Sequence, residues 1–176
     1  MTDELDFSTT ESLSSNEVLS SNDKLSRLSW LNKKILSSGD FYFFQDGKLS
    51  KILFNEIISC YIDGHYIAVI ALGFAFIESG IAGRLSHVGI EKPENMRSVE
   101  LLLKAKELGW ISEIEHNDLT ELRLLRNSTM HYQDALNLKR LEVRAIVRSI
   151  SSEKLLKKDS RLVLESAIKM LSKTAI

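Results

Sequence analysis

One stretch of the chain, from His65 to about Leu85, is apolar around nearly the whole circumference of a helix. Such a helix has no polar face for water, so other elements must cover it, and it belongs at the centre of a helical bundle. Elsewhere apolar residues recur at helical spacing, and the 176 residues include one proline and eight glycines. The sequence therefore predicts an all-α, up-and-down helical bundle rather than a sandwich or a collagen-like fold.

The same apolar stretch bears on where the chain resides. Its wholly apolar part, Ile67 to Ile77, is interrupted only by Gly73 and is too short to span a bilayer. No basic segment followed by an apolar one opens the chain, and the single cysteine, Cys60, permits no disulfide within it. We therefore expect a cytoplasmic protein without a membrane partner.

Composition divides the chain into a tail and one domain. Residues 1–22 are rich in Ser, Thr, Asn and acidic side chains, which predicts a disordered tail. Residues 23–176 form the helical domain, whose first helix is predicted to begin at Asp23 and to stop at Gly39. After an aromatic connector over 41–44, further helices are predicted over about 49–63, 65–85, 96–108, 118–132, 136–150 and 159–172.

Charge is unevenly distributed along the chain. Residues 1–24 hold six of the 24 acidic and one of the 23 basic side chains, which leaves 18 acidic and 22 basic in the rest. Residues 139–173 carry ten Lys or Arg against four acids, and such a face attracts phosphate. Lys157 and Lys158 in this segment are therefore candidate substrate-binding residues, although a charged terminal helix is also typical of a solvated face.

Most enzyme signatures are missing from the sequence. It contains no Gly-rich phosphate loop, no G-x-S-x-G elbow and no H-E-x-x-H zinc motif, so neither a cofactor nor a metal site is predicted. Glu56 and Glu78 lie on different predicted helices, and no third group supports a pair of catalytic carboxylates. Single histidines and the cysteine are interpreted as surface or core residues: His65, His87, His116 and Cys60.

One cluster of polar residues remains, at Arg126, Asn127 and His131 in a leucine-rich predicted helix. At about 100° per residue, Asn127 and His131 are i, i+4 neighbours, and Arg123 extends that stripe by one turn. A guanidinium matches the geometry of phosphate oxygens, and an imidazole moves protons near neutral pH. The cluster therefore favours phosphodiester chemistry, with Arg123 as a substrate-binding residue.

A structural interpretation of the cluster stays open. In it, Arg126 pairs with an acid such as Glu78 or Glu121, Asn127 caps or bridges helices, and His131 is an ordinary surface residue. The spacing of Arg and His alone does not decide between the two interpretations.

The order of these residues resembles the HEPN domain family of small helical bundles. Its hallmark is an Arg, usually followed by Asn, Asp or His, then three residues and a His, and Arg126, Asn127 and His131 match it position by position. The preceding apolar helix, opened by Gly64-His65-Tyr66 and ending at Glu78, is also similar. The resemblance covers roughly residues 48–135.

The resemblance implies a bundle of four or five helices that usually dimerises, with two motifs face to face across a two-fold axis. In catalytic members this composite cleft is a metal-independent endoribonuclease site, found in toxin and defence systems. It implies His131 as general acid or base, Arg126 as the stabiliser of charge on the phosphorane, and Asn127 as an orienting group. The implied partners are RNA, a second copy, and an antitoxin or regulatory protein. Other members are non-catalytic dimeric binding or regulatory modules.

Overall fold

The computed structural model describes residues 10–37 and 47–173, with side chains over 21–36 and 47–173. Across these ranges the chain forms seven α-helices, a short 3-10 helix and no strand, which confirms the predicted all-α helical bundle. The helices are α1 Thr10–Ser37, α2 Lys48–Asp63, α3 Tyr66–His87, α4 Ser98–Glu107, α5 Glu113–Met130, α6 Leu141–Val147 and α7 Ser152–Lys173, and the 3-10 helix is Pro93–Asn95. The predicted stop at Gly39 and the aromatic connector lie outside the described residues.

Helix α3 is the centre of the bundle, as predicted from its apolar circumference. It packs against α2, α4, α5 and α7, and it buries residues on several sides, among them Val69, Phe74, Ile77 and Leu85. Its 22 residues are long and apolar enough to cross a membrane by length and composition alone. The buried helix of a bundle meets the same description, because it too lacks a polar face.

Helices α3 and α7 approach each other closely in the core. A Cβ atom added at Gly73 would lie 2.6 Å from Cγ1 of Val163, a residue that is itself fully buried. Real Cβ atoms do not come this close to a neighbour, so the two helices pack at this distance because Gly73 has no side chain.

Helix α1 begins well before the predicted start at Asp23. It extends back to Thr10, whereas the composition predicts a disordered tail over 1–22. The stretch 10–22 contains neither glycine nor proline, and nothing in its backbone stops a helix that has started. Residues 1–9 are outside the described part of the chain.

Hydrogen bonds and aromatic contacts hold α1 against the rest of the bundle. Arg27 is buried and donates through Nε to the carbonyl of Ile62 at 2.8 Å. Trp30 packs on Tyr61 with ring centroids 5.1 Å apart, and the Arg161 guanidinium lies 4.9 Å from the Trp30 centroid while its Nε donates to Tyr61 Oη at 2.7 Å. These contacts join α1 to the corner between α2 and α3 and to α7.

The start of α5 differs from the predicted start at about residue 118. The helix begins at Glu113 with Ser112 as N-cap, whose Oγ accepts the Glu115 N–H at 3.2 Å while Glu115 accepts the Ser112 N–H at 2.8 Å. Asp118 is therefore an interior residue of the helix. Towards the C-terminus, α6 is shorter than predicted and α7 begins earlier, at Ser152.

Glu115 also links α5 to α7 and makes the stability of the fold depend on pH. Lys173 Nζ lies 2.6 Å from its carboxylate, and this bond with the Ser112 N–H lowers the pKa of Glu115 from 4.5 to about 2. A lowered pKa in the folded chain stabilises it above pH 4.5, and the contribution is lost as pH falls towards 2. Because both side chains are about one-third exposed, we expect about 1–2 kcal/mol.

The variant Glu115→Gln tests this linkage in urea unfolding followed by circular dichroism. We expect it to be less stable than wild type at neutral pH. The difference in the free energy of unfolding should shrink as the pH falls from 4.5 towards 2. The control Glu113→Gln removes an exposed pair with Lys106 and should have a smaller effect. A stability difference for Glu115→Gln that does not change with pH would contradict the assignment.

Candidate functional site

The end of α5 sets the position of His131. The helix stops at Met130, and His131 has extended φ and ψ angles of −120° and 151°, although its N–H still donates to the carbonyl of Asn127 at 3.0 Å. Asn127 and His131 therefore do not share a helical stripe, and that prediction is wrong. His131 is exposed at the first residue beyond the helix.

Local side-chain bonds explain why the helix stops there. Asp134 Oδ1 accepts the Leu136 N–H at 3.1 Å, and Asn137 Oδ1 accepts the Lys139 N–H at 2.9 Å. Such bonds from Asp and Asn offer the backbone an alternative to the helix and favour turns. Residues 131–140 are consequently non-helical, in place of the predicted helices to 132 and from 136.

Arg126 and Asn127 form the inner part of the site. The Arg126 Nη1 donates to Asn127 Oδ1 at 3.1 Å, and both residues are half-buried on the last turns of α5. Within the described part of the chain no carboxylate pairs with Arg126, and its buried Nε has no partner. Glu78 instead accepts a hydrogen bond from Ser98, so the alternative in which Glu78 neutralises Arg126 is not what the structure has.

Arg123 lies one turn before Asn127 on the same face of α5. It is half-buried, and its Nε is likewise buried without a partner among the residues described. Buried donors without acceptors are uncommon in proteins. The structure therefore brings Arg123, Arg126 and Asn127 together over two helical turns, with His131 just beyond them.

The two candidate lysines lie on α7. Lys157 Nζ is 3.8 Å from Asp23 on α1, and Lys158 is exposed. In the described ranges no hydrogen bond or ion pair joins either lysine to the motif. Their contact with RNA stays a prediction.

The remaining titratable candidates do not converge. Burial, followed by the charges of Glu56 and Asp63, raises the pKa of the Cys60 thiol, which disfavours a reactive thiolate. His87 contacts the Gly83 carbonyl through Nδ1 at 2.7 Å, and His65 is exposed at the start of α3. Over the described residues, no group of three or more His, Cys, Asp or Glu is placed to hold a metal ion.

A neighbouring cleft was missed at the level of sequence. It has a volume of about 450 Å³, lies between α5, α6 and α7, and is lined by residues that include Leu125, Arg144 and Asp159. Asp159 was predicted to open the last helix, whereas it is buried inside α7. No sequence signal marks the cleft, because its residues come from three separate helices and from the segment that joins α5 to α6.

The motif has the groups for phosphate binding and proton transfer. The guanidinium groups of Arg126 and of neighbouring Arg123, with the Asn127 amide, offer hydrogen-bond donors to phosphate oxygens. The exposed imidazole of His131 is accessible to a substrate. In one copy these groups form an open surface at the end of a helix. Comparison with family models, with curated proteins and with solved structures finds no match to this chain.

Proposed function

We propose that the chain is a HEPN-like, metal-independent endoribonuclease of a toxin or defence system, acting in the cytoplasm through a composite site at a dimer interface. The observation that carries the proposal is the Arg126–Asn127 pair, which has no carboxylate partner among the described residues and stands beside the exposed His131. An arginine left without an acid has its remaining terminal N–H groups available for an anionic ligand.

The proposed reaction uses the ribose of the substrate as its nucleophile. An imidazole takes the proton of the 2′-hydroxyl, and the 2′-oxygen attacks the adjacent phosphorus. The bond from phosphorus to the 5′-oxygen breaks, the leaving oxygen receives a proton, and a 2′,3′-cyclic phosphate remains. Arg126 stabilises the charge on the phosphorane, and Asn127 holds the guanidinium or the scissile phosphate in place.

A second copy would complete this site. The reaction needs one group to accept a proton and another to donate one, and each copy supplies one imidazole in the motif, at His131. Next to the motif, Tyr132 and Leu136 are 90% and 87% exposed. Large exposed apolar residues grouped at one end favour coverage by another chain.

Incubation of the purified protein with a mixed-sequence RNA tests the proposal. We expect cleavage that persists in EDTA, because proton transfer by imidazole and stabilisation by guanidinium require no metal ion. Mass spectrometry of the products should show 2′,3′-cyclic phosphate ends. Cleavage abolished by EDTA, or products with 3′-hydroxyl ends, would contradict the mechanism.

A non-catalytic dimeric binding or regulatory module is the second candidate. The observation that favours it is the position of His131, since no hydrogen bond within the described residues orients its ring. A general base works best when its position is fixed. A folded, dimeric protein that cleaves no RNA would favour this module over the ribonuclease.

The proposed dimer gives a prediction for Tyr132. We expect a dimer at micromolar concentration, and we expect Tyr132→Asp to weaken dimerisation by on the order of tenfold or more, because it places a charge in an apolar contact. Sedimentation equilibrium measures both. The control Val88→Asp changes another exposed apolar residue, at the end of α3, and should leave dimerisation unchanged. A monomeric wild type would remove the shared site.

A further inference from the structure

The cleft between α5, α6 and α7 is mostly apolar and separate from the motif. Its walls include Leu122, Leu125 and Leu162, and neither Arg126 nor His131 lines it. Two further wall residues, Leu138 and Val147, are 76% and 74% exposed. An apolar cleft with its rim open to solvent is typical of a binding surface.

A buried carboxylate lines this cleft, and one of its oxygens accepts no hydrogen bond from a described residue. Asp159 is 1% exposed, and its Oδ1 accepts a hydrogen bond from Arg144 Nη2 at 2.9 Å. Its Oδ2 is buried and has no partner in the part of the chain that is described. A buried acceptor without a donor is costly, so this oxygen favours a ligand that brings an N–H or O–H group.

The rim of the cleft is basic. Arg148 and Lys139 line it without an ion pair to any described residue, while one exposed acid, Glu121, stands among the lining residues. Arg144 and Asp159 neutralise each other. The remaining charged groups of the rim are therefore two cations and one carboxylate. The rim therefore favours an anionic ligand over a cationic one.

We propose that this cleft binds an acidic peptide segment of a partner protein, through a bulky apolar side chain. A short run of peptide supplies all three features: an apolar side chain for the leucine walls, a backbone N–H for Asp159 Oδ2, and carboxylates for Lys139 and Arg148. The site is distinct from the proposed ribonuclease motif, so it regulates or recruits rather than cleaves.

Fluorescence anisotropy of a labelled peptide of alternating leucine and glutamate tests this directly on the full chain. We expect saturable binding, weakened on the order of tenfold by Val147→Ser and by Arg148→Glu, since each removes one apolar contact or one charge contact. Matched controls change residues of the same kind outside the cleft. Ile146→Ser alters an exposed apolar neighbour on α6, and Lys154→Glu reverses an exposed charge on α7; both should bind as wild type.

Several results would overturn the proposal. They are no binding, equal binding of a leucine–lysine peptide, equal loss in the control variants, and a shift in sedimentation caused by Val147→Ser, which would assign the cleft to a second copy. A labelled single-stranded RNA that competes with the peptide for the cleft would also overturn it. None of these results depends on RNA cleavage, so the proposed ribonuclease can fail while this site stands.

Discussion

Replacing Arg126 or His131 by alanine is expected to lower the rate of RNA cleavage by on the order of a hundredfold or more. That is the usual loss when a general acid or base, or a group that stabilises transition-state charge, is removed. Both residues lie at the end of α5, and neither makes an ion pair with a described residue, so folding should survive both changes. The measurement is the initial rate on a labelled RNA, with circular dichroism to confirm the fold.

Two matched variants separate a site effect from a general one. His87→Ala removes an exposed histidine at the end of α3, and Arg97→Ala removes an exposed arginine that pairs with Glu100. Both should cleave RNA like wild type. Activity that survives Arg126→Ala and His131→Ala, or that falls equally in these controls, would remove the motif from the mechanism.

Gly73→Ala is expected to destabilise the fold by about 1–3 kcal/mol, although alanine favours helix over glycine by about 1 kcal/mol. The added Cβ would lie 2.6 Å from Cγ1 of Val163, whose short branched side chain cannot swing away. Chemical unfolding measures the effect. In the double variant with Val163→Ala the two losses should be less than additive, because the second change removes the clash.

Gly80 provides the control for this change on the same helix. A Cβ added there meets nothing within 4 Å, so Gly80→Ala should leave stability unchanged or raise it by up to about 1 kcal/mol. Equal effects at Gly73 and Gly80, or strict additivity in the double variant, would contradict the close packing of α3 on α7.

The features that sequence predicts best are those set by local patterns. The apolar circumference of α3 predicts its burial at the centre of the bundle. The glycine after α2 predicts a helix end, and Gly64 does end α2 with a φ of 84°. The capping pattern occurs twice before the motif, at Ser112 with Glu115 and at Asp118 with Glu121. The helix begins at the first rather than at the predicted second, and local sequence does not separate them.

Tertiary contacts and local turns account for what sequence reasoning missed. The pairing of Arg144 with Asp159 depends on how α6 folds back on α7, and no periodic pattern encodes it. The exit of His131 from the helix follows from turn bonds at Asp134 and Asn137, of which only Asn137 lies inside a predicted helix. The sequence therefore supplies the residue types of the candidate site, whereas their relative placement was not predictable from it.

Mixing two inactive variants tests the composite site most directly. Arg126→Ala and His131→Ala copies are dissociated, combined in equal amounts and allowed to reassociate, and the rate of RNA cleavage is compared with that of each variant alone. A mixed dimer keeps one Arg126 and one of the two His131 imidazoles in a shared cleft, whereas each parent dimer lacks one of these groups altogether. We therefore predict a rate on the order of tenfold above either variant and below wild type. A rate equal to the average of the two would contradict a site shared between copies.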